Sequence, residues 1–193
     1  ASKGQQAAPN QALASLQRQP APSARSTVRG FSHRASPRDS ADACADQLGT
    51  LYCVSSYLPT SGINRSDYGP ASLFDKSDQT AWVEGRTASR DDGIGEWILL
   101  DWQQERRVKG LTLKNGYLKS ARLWQANGRV TQVRLRFSNG RSVDVDIHDS
   151  DRAQDITFDR PERAMWVQLE ILKARRGTKY SDTAINEIDV RFE

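Results

Sequence analysis

From Ala41 onward the chain alternates short apolar stretches with turn residues. Leu51–Leu58 is apolar and β-prone, whereas Ala71–Phe74 is too short for more than a helical turn. Glu96–Trp102 is apolar on both parities, as a central strand would be. Val108–Lys114 stops at Asn115-Gly116, and a second turn signal sits at Asn127-Gly128. Thr131–Phe137, Arg141–Ile147, Gln154–Phe158, Met165–Leu172 and Ile185–Phe192 complete the series. Strands this short, with turn residues between them, predict an all-β sandwich or barrel. No stretch longer than about ten residues carries a convincing helical period.

One hairpin can be read to the register. The apolar positions of Thr131–Phe137 are Val133, Leu135 and Phe137, and those of Arg141–Ile147 are Val143, Val145 and Ile147. Cross-strand partners point to the same face, so paired numbers must sum to an even value, and a two-residue Asn-Gly loop is excluded. A three-residue loop, Ser138-Asn139-Gly140 with Gly140 left-handed, satisfies the parity. It pairs Leu135 with Val143 inside and Arg134 with Asp144 outside. Arg134, Arg136, Asp144 and Asp146 then form a solvated mixed-charge face.

Composition separates a tail from a domain. Ala1–Ser40 is rich in Gln, Ala, Pro and Ser, with one Phe and no Trp or Tyr. Such a segment cannot bury enough apolar area to offset its ordering entropy, which predicts a flexible tether ahead of a domain spanning Ala41–Glu193. The tail carries six basic residues (Lys3, Arg18, Arg25, Arg29, Arg34, Arg38) against Asp39, while the remainder holds 22 basic and 23 acidic residues. The basic balance therefore resides in the tail, and the domain lacks the cationic face of a nucleic-acid binder. The tail arginines either touch polyanions or acidic lipids weakly or are simply spaced along a solvated linker. No run approaches the roughly 18 apolar residues of a membrane span. An Ala-Ser start before a Gln/Pro/Ala tether suits an exported, periplasmic or secreted protein whose leader has been removed.

The stretch richest in candidate chemistry is Thr80–Ile98. Trp82 and Trp97 are each flanked by a carboxylate, Glu84 or Glu96, and by glycines, around a polar Arg86–Asp92 segment expected on the surface. Either the indoles wall a binding surface at one end of a sandwich, or they are core wedges beside solvated glutamates. Catalytic signals are weak. Glu84 and Glu96 could form a glycosidase-like carboxylate pair, but among 23 domain acids some pair is inevitable. His148 lies in a polar turn with no nucleophile elbow nearby, and with His33 and His148 the only histidines a zinc site is not expected.

Thr80–Gly85, Gly93–Ile98, Asn115-Gly116-Tyr117 and Tyr180–Ile188, in this order, resemble the NADase-type glycan-binding domain. This is a discoidin-like, galactose-binding-like module, as in the targeting region of streptococcal NAD-glycohydrolase toxins. The resemblance covers about Ser55–Glu193 and implies a jelly-roll β-sandwich that binds a glycan or cell surface without catalysis. The wider discoidin-like class also implies one structural calcium, here matched to Asp75, Asp78, Thr80 and Glu187. Lys76 departs from the glycine usual beside the first of these. Sugar modules stack a ring on a pyranose and hold its hydroxyls with carboxylates and amides, which selects Trp82, Glu84, Glu96, Asn115, Tyr117, Tyr180 and Asp182 as ligand-binding candidates. Tyr117 is either an exposed stacking ring or a rim tyrosine capping the core. The expected partner is a glycan or cell-envelope surface of an exported bacterial protein; the alternative is a protein–protein adaptor using the same loops.

Cys44 and Cys53 are the only cysteines, nine positions apart where the tail meets the first apolar run. They are either a disulfide of an oxidising compartment or two buried thiols of a reducing one. A bond there would contribute about 2.7 kcal/mol on the chain-entropy estimate. Unreduced protein should therefore show no alkylatable thiol by mass spectrometry, and reduction should lower the melting temperature by about 5–10 °C. Two alkylated cysteines in protein made under oxidising conditions would refute the pairing.

Overall fold

The computed structural model describes residues 34–60, 68–85 and 92–193. The chain divides into two units, Ala1–Gly30 and Phe31–Glu193, and the second holds all of these residues. Most of the expected tether and of the expected Arg86–Asp92 surface loop lie outside the described residues.

Eight strands form the domain: β1 (Ala43–Gln47), β2 (Thr50–Val54), β3 (Trp82–Val83), β4 (Trp97–Asn115), β5 (Arg129–Phe137), β6 (Ser142–Asp146), β7 (Gln154–Arg175) and β8 (Ala184–Phe192). One short helix, α1 (Ala121–Ala126), and 3-10 turns at Pro37–Ser40 and Pro70–Leu73 complete it. The described strands pair antiparallel in the order β1-β2-β4-β7-β5-β6, while β8 pairs with both β3 and β4. The all-β expectation holds.

Two strands are longer than the hydrophobic pattern suggested. Glu96–Trp102 and Val108–Lys114, read as separate strands, are halves of β4; Gln154–Phe158 and Met165–Leu172 both belong to β7. The polar run Gln103–Arg107 between the β4 halves is exposed, and the β4–β7 register shifts between Asp101 and Arg106. Gln103 sits there at φ 60°, with its N–H donated to Asp101 Oδ1 at 3.0 Å. This is a bulge: extra residues re-aim the strand and increase its twist while pairing resumes beyond. The first half of β4 accordingly pairs with β2 and the second with β8, so one strand serves both ends of the sheet. Tyr52, Trp82, Leu100, Leu113, Leu135, Leu169 and Ile185, drawn from six strands, meet in one buried core.

The β5–β6 hairpin has the register expected from parity. Leu135 pairs with Val143 and Arg134 with Asp144 across the Ser138-Asn139-Gly140 loop, and Gly140 is left-handed at φ 88°. Arg134 holds Asp144 by two hydrogen bonds of 2.7 and 2.8 Å, which keeps that carboxyl below its ordinary range. Cys44 and Cys53 face each other directly across β1 and β2 and are bonded. The disulfide thus closes a hairpin whose outer strand, β1, ends the main strand order. Strand β1 and helix α1 were not anticipated: Ala43–Gln47 carries little apolar signal, and α1 is under two turns long.

The expected boundary at Ala41 falls inside the folded unit. Arg34 N–H donates to Ser138 O at 2.8 Å, and the Trp166 indole N–H donates to Arg34 O at 3.2 Å. Apolarity gave no sign of this because backbone groups make both contacts. A chain beginning at Ala41 should melt below one beginning at Arg34 by about 4–8 °C, taking about 1 kcal/mol per lost hydrogen bond. Coincident melting curves would show that these contacts contribute nothing.

Candidate functional site

At one end of the sheet the segments around Ser55–Leu58, Ala81–Gly85, Asp92–Trp97, Gly116-Tyr117 and Tyr180–Ala184 are laced together by backbone hydrogen bonds. Leu58 N–H donates to Val83 O (2.8 Å), Glu84 N–H to Thr183 O (3.1 Å), Gly116 N–H to Ala184 O (3.1 Å) and Gly128 N–H to Asp182 O (2.9 Å). Thr183, fully buried, donates its hydroxyl to Asp92 O at 2.6 Å. Gly116 is needed to leave β4 at φ 91°, and a Cβ there would lie 2.8 Å from the Trp124 indole.

Much of the chemistry singled out in the sequence is inside this knot. Glu96 is 4% exposed, and its Oε2 accepts from the hydroxyls of Ser55 (2.5 Å) and Ser56 (2.6 Å). Ser56 also accepts from Gly85 N–H at 3.0 Å, and its carbonyl accepts the Trp82 indole N–H at 2.9 Å. Trp82 is fully buried, so it is a core wedge with no face for a ligand. Glu84 is 3% exposed and Asn115 fully buried. The Asn115 amide donates to Val130 O at 2.7 Å and accepts Val130 N–H at 3.1 Å, which ties β4 to β5. Trp82, Glu84, Glu96 and Asn115 are thus buried, and a polar group displayed in sequence is as readily consumed by the fold as offered to a ligand.

Tyr117, Tyr180 and Asp182 instead meet at a surface pocket of about 240 Å³. Leu58, Val83 and Leu123 give it an apolar lining, with Tyr68 and Asn127 beside them. Tyr117 is nearly buried and donates its hydroxyl to Gln79 O at 3.1 Å. Its ring stands edge-on to Tyr68, 6.1 Å between centroids at 88°, so it is a wall anchored behind rather than a free platform. Burial, with the Tyr68 phenol beside it, raises its pKa. Tyr180 is the exposed ring, 38% accessible, with Lys179 Nζ 4.9 Å from its centroid. The Asp182 carboxyl is partly desolvated, which alone raises its pKa, and among the described residues no donor or cation reaches it. Tyr68, Leu58 and Leu123 were missed. They are ordinary apolar or aromatic positions without a local motif, whereas Asn127 was legible only as half of a turn signal.

The calcium ligands implied by the discoidin-like resemblance are drawn together but otherwise engaged. Asp75 accepts Ser77 N–H (2.9 Å) on one oxygen and the Thr80 hydroxyl (2.7 Å) on the other. Asp78 Oδ1 is 3.0 Å from Lys114 Nζ. The loop carbonyls of Ser77 and Thr80 converge on the Asn186 amide nitrogen at 3.1 and 2.6 Å. Of the candidate oxygens, Glu187 Oε1 is buried without a partner. Calcium takes six to eight oxygens. Among the described residues no three His, Cys, Asp or Glu side chains gather around a metal position. The donors do not fit the ion: Lys114, paired with Glu187 across β4 and β8, supplies positive charge beside Asp78 and lowers the Glu187 pKa against the larger effect of burial.

The family model for the NAD glycohydrolase translocation F5/8 type C domain matches residues 50–191. The chain belongs to this family. Among solved structures, similar folds include the module CpGH89CBM32-5 from Clostridium perfringens, in complex with GalNAc-beta-1,3-galactose. That likeness has a TM-score of 0.58 at 18% identity, covering 77% of this chain and 99% of that one. The family 32 carbohydrate-binding module of C. perfringens NanJ, in complex with galactose, gives 0.54 at 17%, covering 78% and 98%. A mycobacterial arabinofuranosyltransferase, AftD, gives 0.56 at 20%; the match covers 76% of this chain and 11% of AftD. At these identities the likeness shows the fold alone. No curated protein sequence matches. Family and fold are those of a discoidin-like binding module. No helix among the described residues is long and apolar enough to cross a membrane.

Lys114→Met should lower the melting temperature at neutral pH by several degrees, by leaving Asp78 and Glu187 without their cation. Burial holds the Glu187 pKa up in the folded state. Its ionisation therefore costs stability as pH rises, and the loss in Lys114→Met should shrink on acidification as Glu187 takes up its proton. Wild-type melting should be indifferent to millimolar calcium and to chelator. A calcium-dependent rise in the wild type would restore the metal, since an ion bound only by the native state stabilises by mass action.

Proposed function

We propose that this domain is a non-catalytic carbohydrate-binding module of an exported protein, and that the Tyr68–Tyr117–Tyr180–Asp182 pocket receives the sugar. The observation carrying this reading is the pairing of an exposed ring, Tyr180, with the Asp182 carboxylate, which no donor among the described residues reaches, in one pocket. A pyranose presents an apolar face for the ring and hydroxyl donors for the acid. Charge-assisted hydrogen bonds to such a carboxylate are about twice as strong as neutral ones. The glycans held by the clostridial modules of this fold support the same class of ligand.

The same geometry supports the non-catalytic reading. A glycosidase needs two carboxyls facing one bond, and of the sequence candidates Glu96 is consumed by Ser55 and Ser56. Among the described lining residues Asp182 is the lone acid. Export agrees with the Cys44–Cys53 bond, since disulfides persist in oxidising compartments.

Glycan-array screening followed by calorimetry of the full chain tests the reading. Tyr180→Ala should weaken the best array hit about tenfold or more, for a loss near 1.4 kcal/mol. Arg134→Ala, on the β5–β6 hairpin, should bind as wild type does. If Tyr180→Ala binds unchanged the pocket is the wrong site. If the wild type retains no glycan, the carbohydrate reading falls and the adaptor alternative takes its place.

A further inference from the structure

Resting on the carbohydrate reading, we propose that the group seated against Asp182 is a protonated amine, so that the pocket selects cationic amino sugars over acetylated, neutral or acidic ones.

Several other shielded carboxylates of the described domain have arginine partners, while Glu96 is held by the hydroxyls of Ser55 and Ser56. Asp149 is held by Arg129 and Arg175, Glu162 by Arg141, Glu170 by Arg136 and Asp92 by Arg176. Asp182 departs from this pattern: it lines the pocket, and its recorded hydrogen bond is made by its backbone carbonyl, not its carboxylate. A carboxylate withdrawn from water without a donor is costly unless something arrives to satisfy it. What arrives must be rich in donors, and a uronic or sialic acid would meet like charge.

The rings narrow the choice between a hydroxyl and an ammonium. Tyr68, Tyr117 and Tyr180 share the pocket lining with the acid. Aromatic faces attract cations through their quadrupole, and a cage of such rings is a known solution for ammonium groups. Tyr180 already shows the property, since the Lys179 ammonium lies 4.9 Å from its ring centroid. A neutral hydroxyl would use the carboxylate as an acceptor. A protonated amine would use the carboxylate charge, its acceptor oxygens and the ring faces together. In a partly desolvated pocket the charge pair is screened less than in water. Acetylation removes both the charge and two of the donors, so an N-acetyl sugar cannot reproduce the contact.

The test compares chitotetraose made of glucosamine with its fully N-acetylated counterpart, and with galactose, by calorimetry on the full-length chain at pH 6. An amine with a pKa near that of an α-amino group, about 8, is protonated there. The glucosamine oligomer should bind at least tenfold tighter than the acetylated one. Asp182→Asn, which keeps the backbone carbonyl bonded to Gly128, should erase that difference while melting as wild type does. Tyr180→Leu should reduce the preference in part, which keeps the test open if the asparagine variant folds poorly. Equal affinity for the two oligomers, or a preference surviving Asp182→Asn, overturns the inference. If acetylated or neutral sugars bind without an amine preference, only this inference falls and the carbohydrate reading stands. If none of the three sugars binds, this inference falls, and the carbohydrate reading is decided by the glycan array.

Discussion

The antiparallel pairing of β4 with β7 is the constraint from which the rest of the domain follows. Both strands exceed what one flat layer can use, and they run together from Trp97↔Glu170 to Leu113↔Gln154, interrupted by a register shift at Val108–Gly110 and by a wider break at the Asp101–Arg106 bulge. That break costs a left-handed Gln103, on the order of 1–3 kcal/mol for a strained non-glycine residue. In return β4 can offer one edge segment to β2 and another to β8, so that β1–β2 and β8–β3 both attach to a single strand. Close approach is required farther along: a Cβ on Gly110 would lie 2.2 Å from Ile156 O.

Loops gathered at one end of this frame show how differently two acids of similar chemistry can be used. Glu96 reaches back to two serine hydroxyls and becomes part of the lacing that holds Ser55–Ser56 against Gly85 and Trp97. Each hydrogen bond to such a charged group contributes about 1.5–3 kcal/mol, so the acid is structural. Asp182 lies on the last of these loops, where its backbone carbonyl accepts from Gly128 N–H and the residue lines the pocket with the tyrosines. The same distinction separates Lys114 from a metal ion: both would neutralise the acids near Asp78, but the lysine is already covalently in place.

Period-two alternation, turn dipeptides and parity were enough to determine the all-β class and the β5–β6 register with its Gly140 turn. These are local: neighbours in the chain, or strands joined by a short loop, settle them. Family membership was legible for a related reason, because Thr80–Gly85, Gly93–Ile98, Asn115–Tyr117 and Tyr180–Ile188 keep their spacing and order. Other features depended on segments far apart in sequence. That β4 and β7 are each one strand depends on pairing across a bulge, and the anchoring of Arg34 depends on Ser138 and Trp166, more than a hundred positions away. Which acids remain available was likewise a tertiary outcome. Glu96 is consumed because Ser55 and Ser56 follow β2 to reach it, whereas among the described residues no arginine or hydroxyl reaches Asp182; hydrogen-bond partners of a side chain are chosen by the fold, and composition does not record them.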